Sequence, residues 1–196
     1  MNTLEFFLVH HNRLYFENSG ILNRLNGLSN DQLRLCPHNL NSIAWILWHI
    51  ARCEDLAVNR IIIEGEQVLD TDNFTFELNV PRKDIGTSMS FVEVMSVSNQ
   101  IDISSLQNYI RAVAAKTQKV IRKLHLDELN QIPDPEYLRK VLFEEEALNK
   151  NSEWVAENYA NRNKAWFLGH LGLTHPRGHL GQIILLRKLL GLGSGE

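Results

Sequence analysis

The stretch 41–55, NSIAWILWHIARCED, decides the fold. Ile43, Ala44, Trp45, Ile46, Leu47, Trp48 and Ile50 make its first half apolar nearly all round, a pattern that a helix shows only when it lies deep in a protein. Asn41 or Ser42 supplies a side chain for the free N–H groups at the start, so a helix is expected from there past Ile61 toward Gly65. Arg52, Glu54, Asp55 and Arg60 predict a wetter face along its second half. One histidine falls within the apolar half. His49 shares its sector of the helical wheel with Trp45, Ile46, Cys53 and Leu56, none of them charged, and so points inward.

A buried imidazole needs partners for its ring nitrogens, because an unpaired polar group in an apolar interior costs about 1–3 kcal/mol. A lone inward histidine is more often a hydrogen-bonded core residue than a ligand, so the case for a metal depends on others. Of the eight histidines only His175 and His179 stand four apart, which places them about 40° apart on one helical face, able to chelate one ion. Leu168, Leu171, Ile183, Leu186 and Leu190 share their stripe within a helix expected over about 165–190 and stopped by Gly191. Pro176 interrupts that helix. It lacks an N–H and should clash with the carbonyl of Gly172, so a kink is expected, with Gly169, Gly172 and Gly178 giving the backbone room. Three neutral imidazoles from two distant segments make a three-nitrogen donor set, the catalytic rather than the closed structural pattern. Zinc or nickel suits it; iron and manganese are less favoured by all-imidazole ligation, and the ligand set alone does not choose.

The remaining periodicities complete the architecture. Leu4, Leu8, Tyr15, Leu22 and Leu25 predict a first long helix over 4–26, broken by Gly27 and the Ser29-Asn30-Asp31 cluster, with a short helical turn through Leu35 that Pro37 closes. Residues 66–101 lose periodicity apart from a patch at Phe91 to Val97, which reads as a long crossover with one short helix, draped over the bundle or shaping a pocket. Ile103, Leu106, Ile110, Val113, Val120 and Leu124 mark a third helix over about 102–125. Residues 126–163 are polar, contain Pro133 and Pro135, and hold one or two short helices around Leu138 to Leu148 and Trp154 to Tyr159. Four long helices with two long connections predict an all-α crossover bundle, in a single domain over 1–196.

Composition narrows the partners. A hydrophobic share of 44% and a charged share of 22% are those of a globular chain. A net charge of -3 with no basic run offers nothing to a phosphate backbone, so nucleic acid is not an expected partner. No apolar run approaches the roughly 18 residues that span a bilayer, and Met1 to His10 carries neither a basic n-region nor a small-residue cleavage site, so a cytoplasmic protein is expected. Cys36 and Cys53 form no CxxC pair and read as free thiols.

The segment 41–55 and the segment His175-Pro176-Arg177-Gly178-His179-Leu180-Gly181-Gln182-Ile183 together closely resemble the DinB/YfiT-like superfamily, helical bundles grouped as metalloenzymes. The layout agrees as well, including Leu28-Ser29-Asn30-Asp31-Gln32-Leu33. The resemblance implies a four-helix bundle, a homodimer, and one divalent metal ion on His49, His175 and His179. Relatives include transferases and isomerases that use low-molecular-weight thiols such as bacillithiol or mycothiol. The implied function is therefore a metal-dependent transferase joining such a thiol to a small-molecule substrate; the alternatives are a metal-dependent hydrolase and a non-catalytic metal-binding stress-response module. Pro176 stands where a zincin motif carries its general-base glutamate, so a protease of that kind is not expected.

Four further residues are candidates for a pocket or for supporting the ligands. His11 lies on the inward stripe of the first helix, as a pocket group or a satisfied core histidine. Gln182 stands one turn beyond His179, to orient a ligand or to bond across helices. Cys53, four residues past His49, approaches the metal or packs inertly, and Trp45 forms core or pocket wall, with Trp48 and Trp166 read as core. Glu54 lies about 140° around the helix from His49, which predicts an ion pair elsewhere.

Overall fold

The computed structural model describes residues 1–195, and among them all regular structure is helical. The first helix, α1 (Thr3–Phe16), begins on a capping box in which Asn2 and Glu5 satisfy each other's backbone N–H groups. It ends ten residues earlier than its periodicity suggests. Glu17, Asn18, Ser19 and Gly20 turn the chain back, with the Ile21 N–H donating to the Leu14 carbonyl at 2.8 Å and Asn23 Nδ2 donating to the Phe16 and Glu17 carbonyls. Asn and Ser side chains compete with helical hydrogen bonding, which ends the helix here. Ile21, Leu22 and Leu25 are buried all the same, so their apolar spacing belongs to a tucked loop.

The segment quoted first forms α2 (Ile43–Asp55), capped by Ser42, whose hydroxyl accepts from the Trp45 N–H. It continues through a wider π turn, Leu56–Ile62. Further on lie α3 (Phe91–Gln100) and α4 (Ile103–Ile121), and α2 packs along α4. A short helix, α5 (Trp154–Tyr159), precedes α6 (Lys164–Gly169), a π turn at His170–Thr174, and α7 (His175–Leu189), which also packs on α2. None of the helices among the described residues is long and apolar enough to cross a membrane.

The expected wetter face of α2 is overturned. Arg52, Glu54 and Asp55 are each 0% exposed. Burying such groups is tolerable only when partners replace water, and each finds them. Asp55 accepts from the Val68 and Leu69 N–H groups, from Asn59 Nδ2 and from the Tyr109 hydroxyl. Arg52 donates to Gln67, to Tyr109 and to the Lys83 carbonyl, while Glu54 accepts from His11 Nε2 and from the Tyr15 hydroxyl. Sequence periodicity could not show this, because apart from Asn59 the hydrogen-bond partners of Asp55 and Arg52 come from the long connection and α4. Arg60 alone keeps an edge position, paired with Glu145 at 2.5 Å.

The buried apolar side chains fall into two clusters, and α2 runs through both. Trp48, Ile50 and Ala51 belong to one with Leu106, Ile110 and Ile183; Cys53 and Leu56 belong to the other with Ile85, Phe167, Leu168 and Leu171. His49 therefore sits on α2 where one cluster gives way to the next.

Candidate metal centre

Pro176 shapes the local backbone first. An α-helical bond from residue 176 to Gly172 is unavailable, and the preceding turn widens so that the His175 N–H reaches the His170 carbonyl, five residues back. The expected kink thus takes the form of a π turn. Gly172 lies within it against Phe7, whose ring would be 2.9 Å from any Cβ at that position, so helix α1 holds this turn close. His175 and His179 then project from the first turns of α7 toward His49 on α2.

All three imidazoles meet. His49 Nε2 lies 3.2 Å from His175 Nε2, and His179 Nε2 lies 3.2 Å from the same atom. The outer nitrogens of two rings are engaged: His49 Nδ1 donates to the Ile85 carbonyl, and His179 Nδ1 donates to Gln182 Oε1 at 2.8 Å. Those bonds fix the tautomers, so both Nε2 atoms present lone pairs to the centre. His175 Nδ1 is buried with no protein partner. A proton on His175 Nε2 could serve one of the two facing lone pairs and would leave the other stranded. A cation accepts all three, and this donor set fits a divalent ion: His49, His175 and His179 offer atoms within 4.8 Å of one another.

The electrostatics agree. Burial, followed by the proximity of His179, lowers His49 to about 4 against the opposing pull of the Ile85 carbonyl. Burial and the neighbouring histidines lower His175 to about 2, and burial also lowers His179 against its bond to Gln182. All three are neutral at pH 7, the form that binds metal.

The loop carrying Ile85 is held from several sides. Arg52 bonds the Lys83 carbonyl, the Ile85 N–H donates to the Ala147 carbonyl at 3.0 Å, and Asn149 Nδ2 donates to the Thr87 carbonyl at 2.7 Å. Gly86 adopts φ 81 against Trp48, whose ring would lie 2.5 Å from an added Cβ. Only glycine meets both demands. The long crossover, read from the sequence as draped or pocket-shaping, does the latter here.

Of the four supporting candidates, three adjoin the histidines. Trp45 stacks on His49 with ring centroids 4.8 Å apart, and Gln182 orients His179. Cys53 Sγ lies 3.8 Å from His49 Nδ1, but burial pushes its thiol up to about 12, so it stays protonated. His11 is placed elsewhere, stacked on Phe7 and hydrogen-bonded to Glu54 at 2.9 Å, so Glu54 finds its partner away from His49.

A cleft of about 320 Å³ opens beside His49 and His175, walled by Ile85, Val155, Tyr159 and Trp166 and edged by Trp154 and Arg162. The sequence reading missed Arg162 and His170 and took Trp166 as core. The signal for His170 was Pro176: five-residue spacing shares a face only across a π turn, which the proline induces.

The profile of the DinB superfamily matches residues 13–183 of the chain. No curated protein sequence matches it.

Proposed function

The chain belongs to the DinB superfamily, and from that premise we propose that His49, His175 and His179 hold one divalent metal ion at which a low-molecular-weight thiol is activated for transfer to an electrophilic small molecule. The observation that carries the metal reading is the meeting of three Nε2 atoms, two of them with their ring protons already committed outward to Ile85 and Gln182. Three nitrogens leave the set one ligand short of a closed four-coordinate site, and the cleft adjoins two of the three rings.

A divalent ion there would supply Lewis acidity, lowering the pKa of a thiol so that it reacts as thiolate near neutral pH. The chain's own residues do the rest. Ile85 and Gln182 hold two imidazoles in their binding tautomers, while Trp45 fixes the ring plane of His49. Val155, Leu171 and Trp166 keep the cleft apolar, which strengthens charge interactions within it. Thiol transfer is favoured over hydrolysis by the family likeness, and among the described residues no Asp or Glu lines the cleft to serve as a carboxylate base for water.

The test is elemental analysis of the gently purified protein beside His175→Ala, followed by incubation of the loaded protein with bacillithiol, mycothiol or glutathione and monobromobimane. One ion per chain, lost in the variant, and metal-dependent conjugation are expected. Metal without conjugation by any thiol would leave a binding module, and no metal in either protein would end the reading altogether.

A further inference from the structure

The charges around the cleft are one-sided. Its lining carries Arg162 and neutral imidazoles, and among the described residues it carries no carboxylate. Walls of low polarity concentrate such a field. Arg162 is also placed with care for a residue at a rim. Its Nε donates to the Asn158 carbonyl at 3.1 Å, and its guanidinium lies 5.1 Å from the Trp166 ring centroid. The turn before it passes through Asn161 at φ 58, in the left-handed region, and the Arg162 N–H closes that turn on the Tyr159 carbonyl. Stem and plane are therefore fixed, yet among the described residues no carboxylate pairs with the guanidinium and its two terminal Nη groups have no protein acceptor. Arg60, Arg82 and Arg139, by comparison, each meet a glutamate or aspartate within 2.9 Å, whereas Arg162 joins the arginines without a carboxylate partner among the described residues and differs from them in edging the cleft.

We propose that the cleft takes a small molecule bearing a carboxylate, with Arg162 as the specificity-determining residue that binds it while the reacting end lies at the three histidines. The inference rests on the reading above for the reacting end only. A guanidinium offers two parallel N–H donors that match the two carboxylate oxygens, and one held over an aromatic ring loses little freedom on binding. Asn158 and Thr87 line the same cleft and supply further polar contacts.

The experiment compares two thiols on cobalt-loaded protein, 3-mercaptopropionate and neutral 2-mercaptoethanol, through the cobalt–thiolate charge-transfer absorption. Wild type should favour the carboxylate thiol by about tenfold or more, Arg162→Gln should bring the two within about twofold, and Arg162→Lys should fall between. Because Arg162 is exposed, both variants should melt with wild type. Equal affinity of wild type for the two thiols, or a preference untouched in Arg162→Gln, overturns the proposal. Metal-free protein gives a second readout, in which cinnamate and cinnamamide quench the fluorescence of Trp154 and Trp166. Stronger binding of cinnamate, lost in Arg162→Gln, supports the carboxylate handle even if neither thiol gives the cobalt band, a result that would remove only the thiol reading. Indifference to the charge of cinnamate overturns the handle.

Discussion

Two buried polar clusters hang from one helix, six residues apart, and they are finished differently. Around Asp55 the carboxylate itself is fully paired within the protein: its two oxygens take four donors, and Arg52 lies 3.7 Å away among acceptors of its own, with only Arg52 Nε and Asn59 Oδ1 left unpaired among the described residues of this cluster. Around His49 the rings are braced from outside, but their inward atoms face one another and the His175 Nδ1 has no protein partner. A carboxylate paired on every side holds the fold, whereas imidazole nitrogens that face one another have binding capacity left over. The difference lies in how the central atoms are paired, and in access as well, since Asp55 and Arg52 are 0% exposed whereas His175 and His179 are only partly buried.

The sharpest way to break this contrast is at the closed end. Asp55→Ala strands two backbone N–H groups, Tyr109 and the Arg52 charge, and should cost about 3–5 kcal/mol in urea unfolding of the metal-free protein. A loss under about 1 kcal/mol would mean that the network is not what holds this half of α2. At the open end, zinc or nickel at a hundredfold excess over Kd should stabilise wild type by about 2.7 kcal/mol and leave His175→Ala unmoved. An equal gain in the variant would place the ion elsewhere.

Bracing has a smaller effect than ligation. Gln182→Ala frees the ring of His179 and should weaken metal binding about 10–100-fold by competition with a chelator, while metal-free stability stays within about 0.5 kcal/mol. Unchanged affinity would reduce Gln182 to a surface contact.

Per histidine and per pH unit, the smallest effect is that of pH on the metal-free protein. Burial lowers His49 from 6.5 to about 4 and His175 from 6.5 to about 2. Below 6.5 the unfolded chain therefore takes up protons that the folded one refuses. The associated stability is fully present above 6.5 and is lost as pH falls toward 4 for His49 and toward 2 for His175, by at most about 1.4 kcal/mol per histidine over the first pH unit. Replacing His49 with Gln should flatten the slope over that unit, and a slope that persists undiminished would assign the titration to other groups.

Much of the site was legible in the chain. The helix from Ser42, the inward face of His49 and the i, i+4 pair His175 and His179 follow from periodicity and spacing alone, because each is a property of one helix. The stop after Phe16 was not legible: Ile21, Leu22 and Leu25 keep helical spacing, and only their burial in a folded-back loop explains why they are apolar. Nor was the burial of Arg52, Glu54 and Asp55, whose polarity promises a solvated face in any one-dimensional reading.

Sequence by itself determined the helical class and the three candidate ligands, since both rest on short-range geometry that the backbone repeats every turn. Only tertiary structure decided that Ile85 and Gln182 brace the rings, that the Asp55 carboxylate is fully paired while the inward histidine nitrogens are not, and that Arg162 edges the cleft. Those outcomes depend on which distant groups arrive at hydrogen-bonding distance, and a hydrogen bond, unlike hydrophobic burial, is either met within a few tenths of an ångström or lost.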